Sequence, residues 1–292
     1  MTNARVLKNK IRSINNTAKI THTMEMIATA KSKVCRDRIE SVQPYGDKLS
    51  EILSDLKQSA GGVGEDFPLL RKPEKIQREA VFVITANRGL CGGYNTNILL
   101  KAERCIAQNR AQGVETEIHM IGKKGISRFK YAGQQVEKCY TQFDDKPSFD
   151  EAEQVYAPIL ERFAARELDA VTLIFTHYMN AARQHGVVRR VLPIPEAAEG
   201  EDEGHRSSIN FIFEPDPDQI LNTLLPLSLK TQFFQALLEA ATSEQIARRV
   251  AMKNATDNAE EMVKTYTQKY NRTRQAGITQ EILEIIGGSV VA

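Results

Sequence analysis

Apolar residues near the start of the chain recur in a sustained three-four alternation: Leu7, Ile11, Ile14, Ala18, Thr21, Glu25, Ala28, Ser32, Cys35, Ile39, Val42, Gly46, Leu49, Leu53 and Leu56. All but Thr21, Glu25, Ser32 and Gly46 are apolar, and no proline precedes Pro44, so one long coiled-coil helix is expected over about Asn3 to Leu56. Its length would be roughly 75 Å at 1.5 Å per residue. Between Ala18 and Ser32 the stripe uses small or polar side chains, which let a partner helix come close but bury little apolar area. The missing burial is expected from another protein.

A second long helix is expected from about Asp216 to Ile286. Asp216-Pro217-Asp218-Gln219 offers an N-cap carboxylate, a proline at the first helical position and a glutamine at the third. Pro226 lacks a backbone donor and is expected to kink the helix or split off a short first piece. Beyond it the apolar positions run through Phe233, Phe234, Leu237, Leu238 and Ala241, then Met252, Ala255, Ala259, Met262, Tyr266 and Tyr270. The four-four step at Tyr266 predicts a shift of the seam. At the end, Ile278, Ile282, Leu283, Ile285, Ile286, Val290 and Val291 point several ways around the helix, which calls for a hydrophobic socket supplied from outside. Two long helices at the two ends of one chain are most simply paired with each other, antiparallel.

The stretch between them changes period. Strands are predicted over Ala80–Thr85, Glu115–Ile121, Val136–Tyr140, Ala170–Tyr178 and Val187–Leu192, and helices over Thr96–Gln112, Lys123–Tyr131 and Phe149–Arg166. Such alternation implies a mainly parallel sheet flanked by helices. The domain boundaries expected are 1–60 and 215–292 for the coiled-coil helices and 61–214 for the α/β domain. The acidic run from Glu196 to Glu203 reads as a solvated loop.

Composition narrows the class. A chain of 292 residues, 41% hydrophobic and 26% charged, is ordinary for a soluble globular protein. No apolar run approaches the ~18 residues of a membrane span, and Met1-Thr2-Asn3-Ala4-Arg5 does not start a secretory signal, so a cytosolic location is expected. Cys35, Cys91, Cys105 and Cys139 lie far apart without a Cys-x-x-Cys, the pattern of buried reduced thiols. The net charge of +2 hides an asymmetry: residues 1–38 carry nine lysines and arginines against Glu25 and Asp37. A basic rod attracts an acidic protein surface or a nucleic-acid backbone, and a solvated helical face is the plain alternative. Against nucleic acid, the basic stretch has almost no aromatic residues and no recognition motif.

One motif invites a nucleotide. After the first strand, Asn87-Arg88-Gly89-Leu90-Cys91-Gly92-Gly93-Tyr94 forms a glycine-rich turn before a helix. It is neither G-x-G-x-x-G nor a P-loop, and the second strand ends in Gly122-Lys123-Lys124 where a ribose would need an acid. The glycines are therefore read as a tight, closely packed turn, with no cofactor. The histidines, His22, His119, His177, His185 and His205, have neither metal-ligand spacing nor triad partners, so no metal and no catalytic residue is expected.

Several segments, in order along nearly the whole chain, resemble the gamma subunit of the rotary ATP synthase, its central stalk. They are Lys19-Ile20-Thr21 with Met24-Glu25-Met26-Ile27-Ala28, then Arg88-Gly89-Leu90-Cys91-Gly92-Gly93, and Glu214-Pro215-Asp216-Pro217. Ser243-Glu244-Gln245, the run from Met252 to Ala259, and Arg274-Gln275-Ala276-Gly277-Ile278-Thr279-Gln280-Glu281 continue the series. The chain departs from the family at Gly287-Gly288-Ser289, where Ser-Gly-Ala is more usual, and lacks the redox-active cysteine insert of chloroplast relatives.

The resemblance implies a long antiparallel coiled coil of the N- and C-terminal helices with an inserted Rossmann-like α/β domain. It implies a non-catalytic shaft, one copy per complex, turning inside a ring of alpha and beta subunits. Its base would sit on the membrane c ring beside the epsilon subunit, at the cytoplasmic face of a bacterial membrane and peripheral to it. Proton flow would drive the shaft, the chemistry would stay on beta, and the shaft would also regulate ATPase activity. By similarity, Arg274, Gln275 and Thr279 meet a beta catch loop, while Met24, Lys31 and Lys33 pass an acidic segment of beta. Phe211, Phe213 and Glu214 form a foot near the c ring. Two other classes stay open at this point: an α/β nucleotide-dependent enzyme, and a basic coiled coil that binds nucleic acid.

Overall fold

The computed structural model of the chain describes residues 4–59, 67–194 and 217–290. It divides into two compact units, one made of Met1–Ala30 with Arg248–Ala292, the other of Lys31–Ala247. Helix α1 (Ala4–Ser59) and helix α5 (Pro217–Val290) each contribute to both. Of the two outcomes expected at Pro226, a kink or a split, the split does not occur. α5 is a single helix through Pro226, as α1 is through Pro44. Each proline forfeits one backbone hydrogen bond, and in α5 Leu221, Leu225 and Leu229 around it are buried, so packing holds the turn that the missing bond would loosen.

In the unit of the two chain ends, α1 and α5 pack together antiparallel. Thr21 Oγ1 and Thr256 Oγ1 lie 2.8 Å apart, and Lys10 Nζ stands 5.7 Å from the Tyr266 ring, so rising numbers on α1 meet falling numbers on α5. The contact stripe is small, as the sequence implies: Ala28 is fully buried, with Met252, Thr256 and Ala259 buried on α5. The expected seam shift at Tyr266 is absent. Met262 is 46% exposed and Val263 takes the half-buried place, so the steps run Ala259, Val263, Tyr266, Tyr270 in unbroken four-three-four order.

The other unit is a three-layer α/β/α arrangement. Its strands are β1 (Arg78–Ile84), β2 (Glu115–Ile121), β3 (Lys138–Tyr140), β4 (Ala170–Tyr178) and β5 (Gln184–Leu192), in the order β3-β2-β1-β4-β5. All neighbours are parallel except β4 and β5. One face of the sheet packs against α2 (Tyr94–Ala111) and α3 (Lys123–Tyr131) through Val81, Val83, Ile98, Ala102 and Phe129. The other face packs against α4 (Phe149–Ala164), the first half of α5, and Ile39 of α1. Its centre is aromatic: Tyr156 stacks on Phe233 at 4.9 Å and Phe82 meets Phe233 edge-on at 5.3 Å. α4 starts at a capping box, in which Ser148 Oγ accepts from Glu151 N and Glu151 Oε2 accepts from Ser148 N.

Helix α5 changes character along its length. From Leu221 to Ile246 it is buried on most sides as a core element. From Asn271 to Ile286 every side chain is exposed except the half-buried Thr273.

Candidate functional site

In a sheet of this order, ligands seat at the carboxyl ends of the strands where the chain direction reverses, here beside β1 and β4. The residues there are spoken for. The side chain of Asn87 accepts from Lys123 N at 3.1 Å and donates to Phe143 O at 2.6 Å. Lys124 N donates to Ala86 O at 3.1 Å, and Gly125 N donates to Thr85 Oγ1 at 3.0 Å. The first amides of α3, which would otherwise attract an anion, are thus satisfied by the turn after β1.

Helix α5 closes the crevice from above. Tyr94 Oη donates to Ala240 O at 3.2 Å, Ser243 Oγ donates to Thr176 O at 3.4 Å, and Glu239 Oε2 accepts from Tyr178 N at 3.0 Å while contacting His177. Leu237, Ala240, Ala241 and Glu244 line what space is left, about 30 Å³, room for one water where small-molecule sites need about 300 Å³ or more.

Gly122 and Gly125, outside the 87–94 turn, are sterically required here, while within that turn Gly92 sits at φ +56°, which favours glycine. Gly122 sits at φ +97°, and a Cβ on it would lie 2.1 Å from Thr85 O. A Cβ on Gly125 would lie 2.3 Å from Met120 Sδ. At Gly89 and Gly93 an added Cβ would meet only flexible side-chain atoms at 3.5 Å. The signal in sequence was the glycine directly after β2, where strand passes to helix without a loop.

The partner-contact residues expected from sequence fall into separate places. Met24 is half-buried on α1; Arg274, Gln275 and Thr279 are exposed on α5, where Thr279 Oγ1 donates to Gln275 O at 2.9 Å. The Thr21–Thr256 pairing sets Met24 near the level of Lys253, so Arg274 lies some 20 residues further along, on the order of 30 Å away. The structure does not bring Met24 and Arg274 together. Lys33 is exposed in the α/β unit, whereas the ammonium of Lys31 is bound to the carboxylate of Asp145. Phe211, Phe213 and Glu214 lie outside the described residues.

The far part of α5 carries a close run of exposed apolar side chains, with Ile278 at 48%, Leu283 at 64% and Ile285 at 72%, while α1 exposes others, among them Ile20 at 60% and Met26 at 62%. Among the described residues no helix is long and apolar enough to cross a membrane, and no group of histidines, cysteines and acids is arranged to hold a metal. The thiols divide: Cys35 and Cys91 are buried as expected, but Cys105 is only half-buried and Cys139, on the edge strand β3, is exposed. Burial, reinforced by Asp145, pushes Cys35 up to about 11, so this thiol stays protonated.

Solved structures share this fold. A chain of the Tetrahymena thermophila mitochondrial ATP synthase, in a central stalk and c-ring structure, matches with a TM-score of 0.58 at 23% identity, covering 81% of this chain and 99% of that one. A chain of the Euglena gracilis mitochondrial ATP synthase rotor matches with a TM-score of 0.58 at 17% identity, covering 94% and 98%. The likeness is one of fold. At the level of sequence, the family profile described as ATP synthase matches residues 3–290. The ATP synthase gamma chain of Leptospira biflexa is 45% identical over 291 residues, 99% of each chain. That of Gemmatimonas aurantiaca is 40% identical over 290 residues, covering 99% of this chain and 98% of the relative. The chain belongs to the ATP synthase gamma-chain family.

Proposed function

We propose that this chain is the central rotary shaft of an ATP synthase, present once per complex and without an active site of its own. It couples proton flow through the membrane c ring to ATP synthesis on the beta subunits of a ring of alternating alpha and beta subunits, and it regulates ATPase activity. It stands beside the epsilon subunit at the cytoplasmic face of a bacterial membrane, peripheral to it. The observation that carries the reading is the far part of α5, where the apolar side chains of Ile278, Ile282, Leu283 and Ile285 are all exposed within one stretch of helix. An amphipathic or apolar helix end of this size calls for a protein socket. The tip from Ile282 to Val291 seats in a hydrophobic collar of the alpha–beta ring.

The shaft works by differential contact. A rotor that touches the three beta subunits unequally biases each toward a different conformer, a population shift imposed by geometry. Arg274, Gln275 and Thr279 meet a loop of beta, where the exposed Arg274 and Gln275 offer donors to carboxylates. Met24 and Lys33, with Lys31 as far as Asp145 leaves it free, meet the acidic beta segment, which accounts for the basic bias of α1. Phe211, Phe213 and Glu214 dock on the c ring.

The test is affinity purification of the tagged full chain from its own cells, with subunit stoichiometry by native mass spectrometry. Three alpha and three beta subunits with one copy of this chain is the expected result. Recovery of an alpha–beta ring that assembles and turns over ATP normally without this chain overturns the proposal.

A further inference from the structure

Three groups converge on one residue between β3 and α4. Lys31 of α1 donates through Nζ to Asp145 Oδ2, and Gln245 of α5 donates through Nε2 to Asp145 Oδ1. Cys35, one turn on from Lys31, points its thiol at the backbone oxygen of Asp145 at 3.2 Å. Gln245 is 2% exposed and Cys35 2%, so neither can exchange its partner for bulk water. Asp145 is itself held in place: Phe143, two residues earlier, is buried in the core, and Asn87 donates to its backbone oxygen. A single carboxylate fixed on the α/β unit therefore ties α1 to α5 at one level.

We propose that Asp145 is a positioning residue that sets the register of α1 against α5, and that the Lys31 ammonium acts inside the chain, on this brace, more than on a partner protein. The proposal rests on the rotary-shaft reading for its functional consequence. Apolar packing alone allows neighbouring helices to slide or roll by fractions of a turn, because it is non-directional. Directed bonds to the two oxygens of one carboxylate forbid that, and leaving the buried Gln245 amide without an acceptor carries the full cost of an unsatisfied polar group. A shaft whose helices slip against each other would turn at one end without presenting the right face at the other. Loss of the brace then appears as loss of coupling, not as loss of nucleotide chemistry.

The experiment uses the assembled complex with the full chain carrying Lys31→Ala, Asp145→Ala, the milder Asp145→Asn, Lys33→Ala, or the exchanged pair Lys31→Asp with Asp145→Lys. In the exchanged pair Gln245 can rotate its amide and offer oxygen to the new lysine, so the three-way contact is retained. Two quantities are measured: the alkylation rate of Cys35, mapped by mass spectrometry, and ATP-driven ion pumping per ATP hydrolysed in membrane vesicles. The single changes at Lys31 and Asp145 should each speed Cys35 alkylation by about tenfold, as expected for losing one charge-assisted bond, and should lower pumping per ATP. The exchanged pair should restore both, and Lys33→Ala should leave Cys35 protected.

An exchanged pair that pumps as poorly as Lys31→Ala, with Cys35 protected, would assign Lys31 to a partner and overturn the proposal. Unchanged Cys35 protection in every single variant would overturn it as well. Failure of the unmodified chain to join an alpha–beta ring would sink the shaft reading instead, while Cys35 alkylation of the free chain would still decide whether the brace exists.

Discussion

His119 should make the α/β unit acid-sensitive well above the range of ordinary carboxylates. Its side chain is 3% exposed, stacked 4.6 Å from Phe82 and 6.2 Å from Tyr140, and its Nε2 has no hydrogen-bond partner among the described residues. Burial pushes its pKa down to about 4 from 6.5; the Glu117 carboxylate, 3.9 Å away, opposes this only in part because Arg162 already binds it at 2.8 Å through both guanidinium nitrogens. The folded pKa lies below the unfolded one, so the neutral ring stabilises the fold above pH 6.5, and that stability is lost as pH falls toward 4. At about 1.4 kcal/mol per pH unit the whole window amounts to about 3 kcal/mol, of which about 2 kcal/mol is gone by pH 5. Arg162 holds the Glu117 carboxyl below its usual range, so Glu117 stays ionised throughout and its own loss comes at lower pH.

The assay is native-state amide exchange of β1 and β2 between pH 7 and 5, with the intrinsic pH dependence of exchange divided out. The comparison is His119→Phe, which keeps an aromatic ring against Phe82 and removes the titration. Wild type should lose about 2 kcal/mol of protection over that interval, and the variant much less. An equal loss in both proteins would show that some other group takes up the proton, and the account of His119 would be wrong.

Three further outcomes are expected. Gly122→Ala should destabilise the α/β unit by several kcal/mol, because the new Cβ meets backbone oxygen at φ +97°, and thermal unfolding of the purified chain will read it. Alanine at both Arg274 and Gln275 should slow multisite ATP turnover of the reconstituted complex by about tenfold, the effect of ~1.4 kcal/mol of lost discrimination between beta conformers, with assembly intact; full activity and normal rotation would leave shape alone to carry the coupling. Isothermal titration of the isolated chain with ATP or NAD should give no saturable heat, and micromolar stoichiometric binding would mean that α5 leaves the crevice.

Much of the architecture was legible because local signals and tertiary demands agreed. β2, α3 and β4 begin and end where the turn residues and periodicity put them. Disagreement arose where one element depends on another. β3 is only three residues long, since it is an edge strand paired through Lys138 to Tyr140 alone, although Val136 looked like its start. β5 starts at Gln184, earlier than its apolar run, because pairing of Tyr178 with Gln184 extends the hairpin into polar sequence. Met262 and Val263 are both apolar, and the partner helix decides which faces inward. Nothing in sequence shows that Asp145, Lys31 and Gln245 meet: the aspartate is more than 100 residues from the lysine and 100 from the glutamine.

The helix laid across the strand ends has a consequence for life among nucleotides. A sheet of this order with a glycine-rich turn is a natural purse for phosphates, yet here the seat is taken by α5 of the same polypeptide, fastened from Tyr94 to Ala240 and from Tyr178 to Glu239. An intramolecular occupant is present at an effective concentration on the order of millimolar or higher. Its departure would also uncover Leu237 and Ala240, which are buried where they lie. A competing ligand must therefore outbid a tethered rival that never diffuses away. For the rotary shaft proposed above, such self-occupancy would keep the crevice shut to the nucleotides around it.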